Sequence, residues 1–136
     1  IEGFQDLARP DVRFTNRQRG SGTRILLDYQ LARLNLTPEA IQGYDQEEYT
    51  HMAVAVNVLS GVADAGLGIM AAARALGLDF IPVVEERYDL VVPETTWTDE
   101  RFQKVLAIIR SEEFKKTVTA LGGYDTRETG KVMHEH

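Results

Sequence analysis

The chain has 136 residues, 43% of them hydrophobic and 26% charged, with a formal net charge of −6. That length suits one domain with a real core, and the composition is ordinary for a globular protein. No apolar run approaches the ~18 residues of a membrane span, the absence of cysteine removes disulfides and thiolate ligands, and the acidic balance argues against direct nucleic-acid contact.

In chain order, residues 4–8 fit one short helical turn, and Val12, Arg13, Phe14 and Thr15 alternate as a brief strand does. A polar, glycine-rich loop follows, then a helix over residues 21–36 with Leu27, Leu31 and Leu34 on one face. Thr37-Pro38-Glu39 has the cap, proline and acid of a helix start. Residues 47–59 read as a helix whose stretch from Met52 to Val56 is apolar all round and should be mostly buried. A short strand over 63–68 leads into a small-residue helix over 69–76 that stops at Gly77.

Residues 80–84 and 88–92 look like strands, with Pro82 marking an edge or a bend. Thr98 with Asp99 and Glu100 caps a helix carrying Phe102, Val105, Leu106 and Ile109. Ser111 caps the next, with Phe114, Val118 and Leu121, and Gly122-Gly123 ends it. Strands alternating with helices predict an α/β fold with a mainly parallel sheet.

The loop Asn16-Arg17-Gln18-Arg19-Gly20-Ser21-Gly22-Thr23-Arg24 is the chain's positive island. Between Arg9 and Arg24, five arginines meet one acid, Asp11; the remaining residues hold ten basic and twenty acidic side chains. A strand, a glycine loop and a helix start present backbone N–H groups to a ligand, and Ser21 and Thr23 add hydroxyls. Arg19, Ser21, Gly22, Thr23 and Arg24 are therefore candidates for seating an oxyanion. A plainer reading stays open, in which Ser21 caps the helix, the glycines make the turn and the arginines are solvated.

Named phosphate motifs do not fit, because Thr23-Arg24 follows Gly22 where a Walker loop needs lysine and a hydroxyl residue. Gly66-x-Gly68-x-x-Ala71 matches a relaxed dinucleotide fingerprint, with Glu85 and Glu86 near the offset of a ribose-binding acid. A nucleotide-binding enzyme fragment is thus one alternative; helix-on-strand packing through small residues explains the same glycines. No catalytic constellation is present. His51 reads as a core-edge or surface residue, and His134 and His136 are candidates only for adventitious metal; no cofactor or resident metal is expected.

The motifs together resemble a family. Asp6-Leu7-Ala8, the run from Phe14 to Arg24, Ser60 to Ile69, and Leu76 to Pro82 resemble the type 2 periplasmic-binding-protein-like domain related to molybdate-binding proteins. The segments Glu86-Arg87-Tyr88-Asp89-Leu90-Val91 and Leu121-Gly122-Gly123-Tyr124-Asp125 extend the match over nearly the whole chain. Such domains are found fused to molybdopterin biosynthesis proteins or helix-turn-helix segments, and are similar to LysR-type ligand-sensing domains.

The resemblance implies two α/β lobes that close over a ligand, without catalysis. It implies a small oxyanion as ligand, molybdate or tungstate, for sensing or delivery. The glycine loop would supply one lobe's seat, Gly68 would bring backbone near the ligand, and Tyr88 would add a hydroxyl. The family carries a further N-terminal stretch, so an N-terminally truncated domain is expected: roughly residues 1–65 as the second lobe, and 66–136 as the crossover and closing helices. Those helices would show apolar faces, which must pack differently, pair with another copy in a homodimer, or tolerate exposure. A protein-interaction domain with a vestigial cleft is a further alternative. A cytoplasmic location is expected, with an extracytoplasmic one the alternative.

Overall fold

A computed structural model describes residues 1–134. The chain forms two compact units, Ile1–Pro82 and a second from Val83 onward.

The first unit is built on three short parallel strands in the order β2-β1-β3. They are β1 (Phe14–Arg17), β2 (Glu47–Glu48) and β3 (Ala65–Gly66). Asn16 and Arg17 pair with Glu47 and Glu48 on one side; Phe14 and Thr15 pair with Ala65 and Gly66 on the other. All four residues of β1 are buried, as a central parallel strand covered on both faces requires. Phe14 joins Leu7, Val12, Leu27, Leu31 and Ile41 in a core cluster. Thr15, the next residue and hence on the opposite face, accepts a hydrogen bond from Asn57 Nδ2.

Helix α1 (Gly22–Arg33) follows β1 and starts at Ser21, whose hydroxyl accepts the Arg24 N–H. It ends before the expected Leu36, in a Schellman turn. Asn35 takes φ 54°, its N–H reaches the Ala32 carbonyl, and Leu36 N–H returns to the Leu31 carbonyl. Leu36 thus packs on the core as the turn's hydrophobic plug rather than as helix. Only a single 3-10 turn, Pro38–Ala40, forms after the Thr37-Pro38 signal.

The helix expected over 47–59 is divided. Glu47 and Glu48 pair with β1, and Thr50 accepts the Ala53 N–H to start α2 (His51–Leu59). The competing factor is sheet pairing, which captures two residues with strong helix propensity. Val54 and Ala55 are buried, but Met52 and Val56 are 44% and 45% exposed, so this helix has one covered face rather than a buried circumference. Helix α3 (Met70–Ala75) follows β3 and packs against α2 through Ala72 and Ala73.

The second unit contains α4 (Glu94–Trp97), α5 (Glu100–Arg110) and α6 (Glu112–Leu121). Asp99, not Thr98, is the α5 cap, accepting the Arg101 N–H; the Ser111 hydroxyl accepts the Phe114 N–H at the start of α6. The turn α4 was not anticipated; Trp97 at its end lies 5.7 Å from the Phe102 ring. Val105 of α5 and Leu121 of α6 are at least half exposed.

The strands expected at 80–84 and 88–92 are not formed among the described residues. These stretches have the β-branched composition of strands but no sheet edge to join, and a strand is stable only when its N–H and C=O groups are paired. Among the described residues, no helix is long and apolar enough to cross a membrane. His136, named above with His134, lies outside the described residues.

Candidate functional site

Parallel strands followed directly by helices place all three helix starts at one edge, beyond the carboxyl ends of the strands. The strand order sharpens the location. The chain leaves β1 towards β2 on one side and comes back to β3 on the other. Such a reversal opens a crevice between neighbouring strand ends, which is where doubly wound sheets hold ligands.

The β1–α1 loop closes tightly, with Ser21 N–H on the Gln18 carbonyl at 3.2 Å. The Ser21 hydroxyl satisfies the third N–H of α1, while those of Gly22 and Thr23 stand at the helix mouth, where the helix offers no acceptor. A Cβ on Gly20 or Gly22 would meet no atom within 4 Å, so both flank open space. Gly20 also has φ 84°, which explains a glycine at that turn.

The arginines here have three different environments. Arg19 is exposed and loosely held, 3.5 Å from Glu47 and 3.8 Å from Asp45. Arg24 turns inward. Its Nε donates to Asp28, its Nη1 to Glu47 and to the Arg17 carbonyl, and its guanidinium lies 3.9 Å from the centre of the Tyr44 ring. The Tyr44 hydroxyl donates to the same Asp28 oxygen at 2.7 Å; burial first, and this bond second, push the phenol's pKa up. Arg24 therefore ties β1, α1 and β2 together beneath the loop.

Arg17 is 8% exposed. Its Nε donates to the Gln18 side chain and the Glu48 carbonyl, and its Nη2 to the Tyr49 carbonyl at 3.1 Å. Its Nη1 is buried without an acceptor among the described residues. Arg17 belongs to the positive island but is not among the site residues expected from the sequence. Strand alternation held the one available signal, since a cation inside a strand buried on both faces requires a partner.

The second glycine motif divides by function. A Cβ on Gly66 would lie 2.4 Å from Val54 Cγ1 and 3.1 Å from the Thr15 carbonyl, so Gly66 permits close packing of α2 on the sheet. A Cβ on Gly68 would meet only His51 Nδ1, at an ordinary 3.8 Å. Gly68 thus passes beside the half-buried first residue of α2 at the strand edge. Among the described residues no strand follows α3, and Glu85 and Glu86 belong to the second unit. The dinucleotide fingerprint therefore lacks the βαβ unit it needs.

Of the expected site residues, the fold gathers Arg19, Ser21, Gly22 and Thr23 in one loop and helix mouth, places Arg24 beneath them, and sets Gly68 at the same strand edge. Tyr88 belongs to the second unit, 93% exposed and outside any helix or strand. A concavity of about 660 Å³ beside Arg19 is lined also by Glu39, Asp45 and Tyr44. Its two carboxylates disfavour an anion, so this depression is distinct from the seat at the helix mouth. Among the described residues, no three metal-ligating side chains gather into a site.

Elsewhere, Asp64 precedes β3 and receives three bonds from Arg13: from Nε, from Nη2 and from the backbone N–H. The side-chain bonds first, then the backbone bond, hold its pKa down to about 2. This explains an acid at the start of a short strand.

Comparison with known proteins agrees with this architecture. The model of the PBP superfamily domain matches residues 1–110. The chain is 43% identical over 135 residues to YvgK of Bacillus subtilis (strain 168), described as uncharacterized. That match covers 99% of this chain and 43% of the relative, so the chain spans less than half of that protein's length. It is also 39% identical over 112 residues to an uncharacterized Clostridium pasteurianum protein from the 5′ region of a 2Fe-2S ferredoxin gene, covering 82% of this chain and 99% of that one. No solved structure is a significant match. With its parallel sheet and the family model covering most of its length, the chain belongs to the PBP superfamily, the periplasmic-binding-protein-like domains.

Proposed function

We propose that the chain binds a small oxyanion, without catalysis, at the carboxyl edge of the β1–β3 crevice. One observation carries this reading: the mouth of α1 opens at that edge beside the unencumbered backbone of Gly20 and Gly22. Unsatisfied N–H groups and the helix dipole favour negative charge there. Arg19 is held by its carboxylates at long distances, so a ligand can draw it over the seat. Ser21 and Thr23 supply hydroxyls, Gly68 lets the neighbouring loop approach, and Arg24 serves from beneath by fixing the Arg17 carbonyl.

The finer parts of the reading rest on the motif resemblance: molybdate or tungstate as ligand, a hydroxyl contact from Tyr88, and residues 1–65 as most of one lobe. The same resemblance supports a role in sensing or delivery linked to molybdenum cofactor biosynthesis or transcription regulation, within a fusion. Thermal unfolding with molybdate, tungstate, sulfate, phosphate and NAD tests the class of ligand. An oxyanion that binds the folded state raises the midpoint with concentration. A rise with NAD alone contradicts the reading.

A further inference from the structure

The buried guanidinium of Arg17 has a charge for which the described residues provide no counter-ion. Its three acceptors, the Gln18 side chain and the Glu48 and Tyr49 carbonyls, are all neutral. Among the described residues, no carboxylate forms an ion pair with it, although Arg19 and Arg24 each have two. The Glu48 carboxylate, on the register partner of Arg17, is instead bonded by Asn57 Nδ2 at 2.9 Å. Arginine does not shed its proton, so the group stays cationic in the interior. A buried charge of this kind is strongly unfavourable unless something pairs with it.

The Tyr49 carbonyl bonded by Arg17 Nη2 immediately precedes Thr50, the cap of α2. The guanidinium therefore stands at the N-terminal mouth of a nine-residue helix, whose own end carries positive potential. Two positive poles meet here, and Nη1 is left without an acceptor. Gly68 passes the first residue of the same helix, so this mouth belongs to the β1–β3 crevice.

We infer that Arg17 is the anchor of the anion site, its Nη1 donating to a ligand oxygen that also faces the start of α2. This rests on the oxyanion reading above and moves the principal contact from the exposed loop arginines to the central strand. Arg17→Lys keeps the charge but loses the planar fork.

The test is calorimetric titration of the chain and of Arg17→Lys and Arg33→Ala with molybdate, tungstate, sulfate and phosphate. A parallel 15N NMR titration of the unaltered chain follows the arginine Nε–H signals, assigned through the backbone. Arg33 lies in the last turn of α1, so its replacement leaves affinity unchanged. Loss of one charged hydrogen bond should weaken binding by Arg17→Lys about tenfold or more, and the Arg17 signal should shift on titration. Binding by the unaltered chain with an unmoved Arg17 signal, or with Arg17→Lys within about twofold, overturns the anchor and leaves the oxyanion reading standing. Absence of heat from all four anions overturns both. If Arg17→Lys does not fold, the signal of the unaltered chain decides.

Discussion

The guanidinium of Arg24 lies 3.9 Å from the ring centre of Tyr44, and both side chains bond the same oxygen of Asp28. This places a 5%-exposed cation, its counter-ions and an aromatic face under the β1–α1 loop. Replacing Arg24 with alanine strands Glu47 and Asp28 without their partner. The expected loss is about 2 kcal/mol, below the range for fully buried pairs because both acids are partly solvated. Arg19→Ala, at an exposed pair, should change stability by no more than about 0.5 kcal/mol. Urea unfolding of the two variants checks the contrast; equal losses contradict the inward role of Arg24.

Gly43 adopts φ 94°, and a Cβ there would stand 2.0 Å from the Phe14 carbonyl oxygen. The loop before β2 bonds β1 at this point, through Phe14 N–H to the Gln42 carbonyl. Gly43→Ala therefore combines left-handed strain with a backbone clash. A destabilisation of about 2–4 kcal/mol is expected, read from the denaturant midpoint. A neutral result would mean that the loop does not lie against Phe14.

Gly66 and Gly68, two residues apart, should respond oppositely. Gly66→Ala forces Val54 or the sheet to move and should destabilise by about 1–3 kcal/mol. Gly68→Ala meets only an ordinary contact, so stability should change by less than about 0.5 kcal/mol. Its effect should appear in ligand affinity, because the added methyl narrows the crevice. Thermal midpoints and an oxyanion titration of both variants separate packing from function.

The Arg13–Asp64 link predicts a pH dependence. Asp64 titrates at about 2 in the fold, against 3.8 as the ordinary value. A depressed carboxyl pKa contributes stability that is fully present above the unfolded value and lost as pH falls through the folded one. Asp64→Asn should therefore lower the midpoint near neutrality, and the gap from the unaltered chain should narrow between about pH 4 and pH 2. A gap that widens on acidification contradicts the assignment.

Much of this fold is readable from the chain alone. Leu27 and Leu31 are the buried stripe of α1, and Ser21 and Ser111 cap the helices they were expected to cap. The misread strands have one physical source, long-range pairing. Glu47 and Glu48 prefer helix locally but β1 recruits them as strand, whereas residues 80–84 and 88–92 prefer strand but find no edge. The site follows the same rule. The glycine loop and the start of α1 are local features that the sequence displays. The burial of Arg17 depends on β2 and the residue after it, thirty-one and thirty-two residues away at Glu48 and Tyr49, and appears only when the sheet is assembled.

The proposed oxyanion seat at the carboxyl edge of the β1–β3 crevice can be tested directly. Calorimetric titration of the chain and of Arg19→Ala with molybdate, tungstate, sulfate and phosphate tests it most directly. A seat there gives a saturable signal from at least one of these anions and weaker binding by Arg19→Ala, whose stability is unchanged. No signal from any anion contradicts the seat; binding that Arg19→Ala leaves intact removes Arg19 from it.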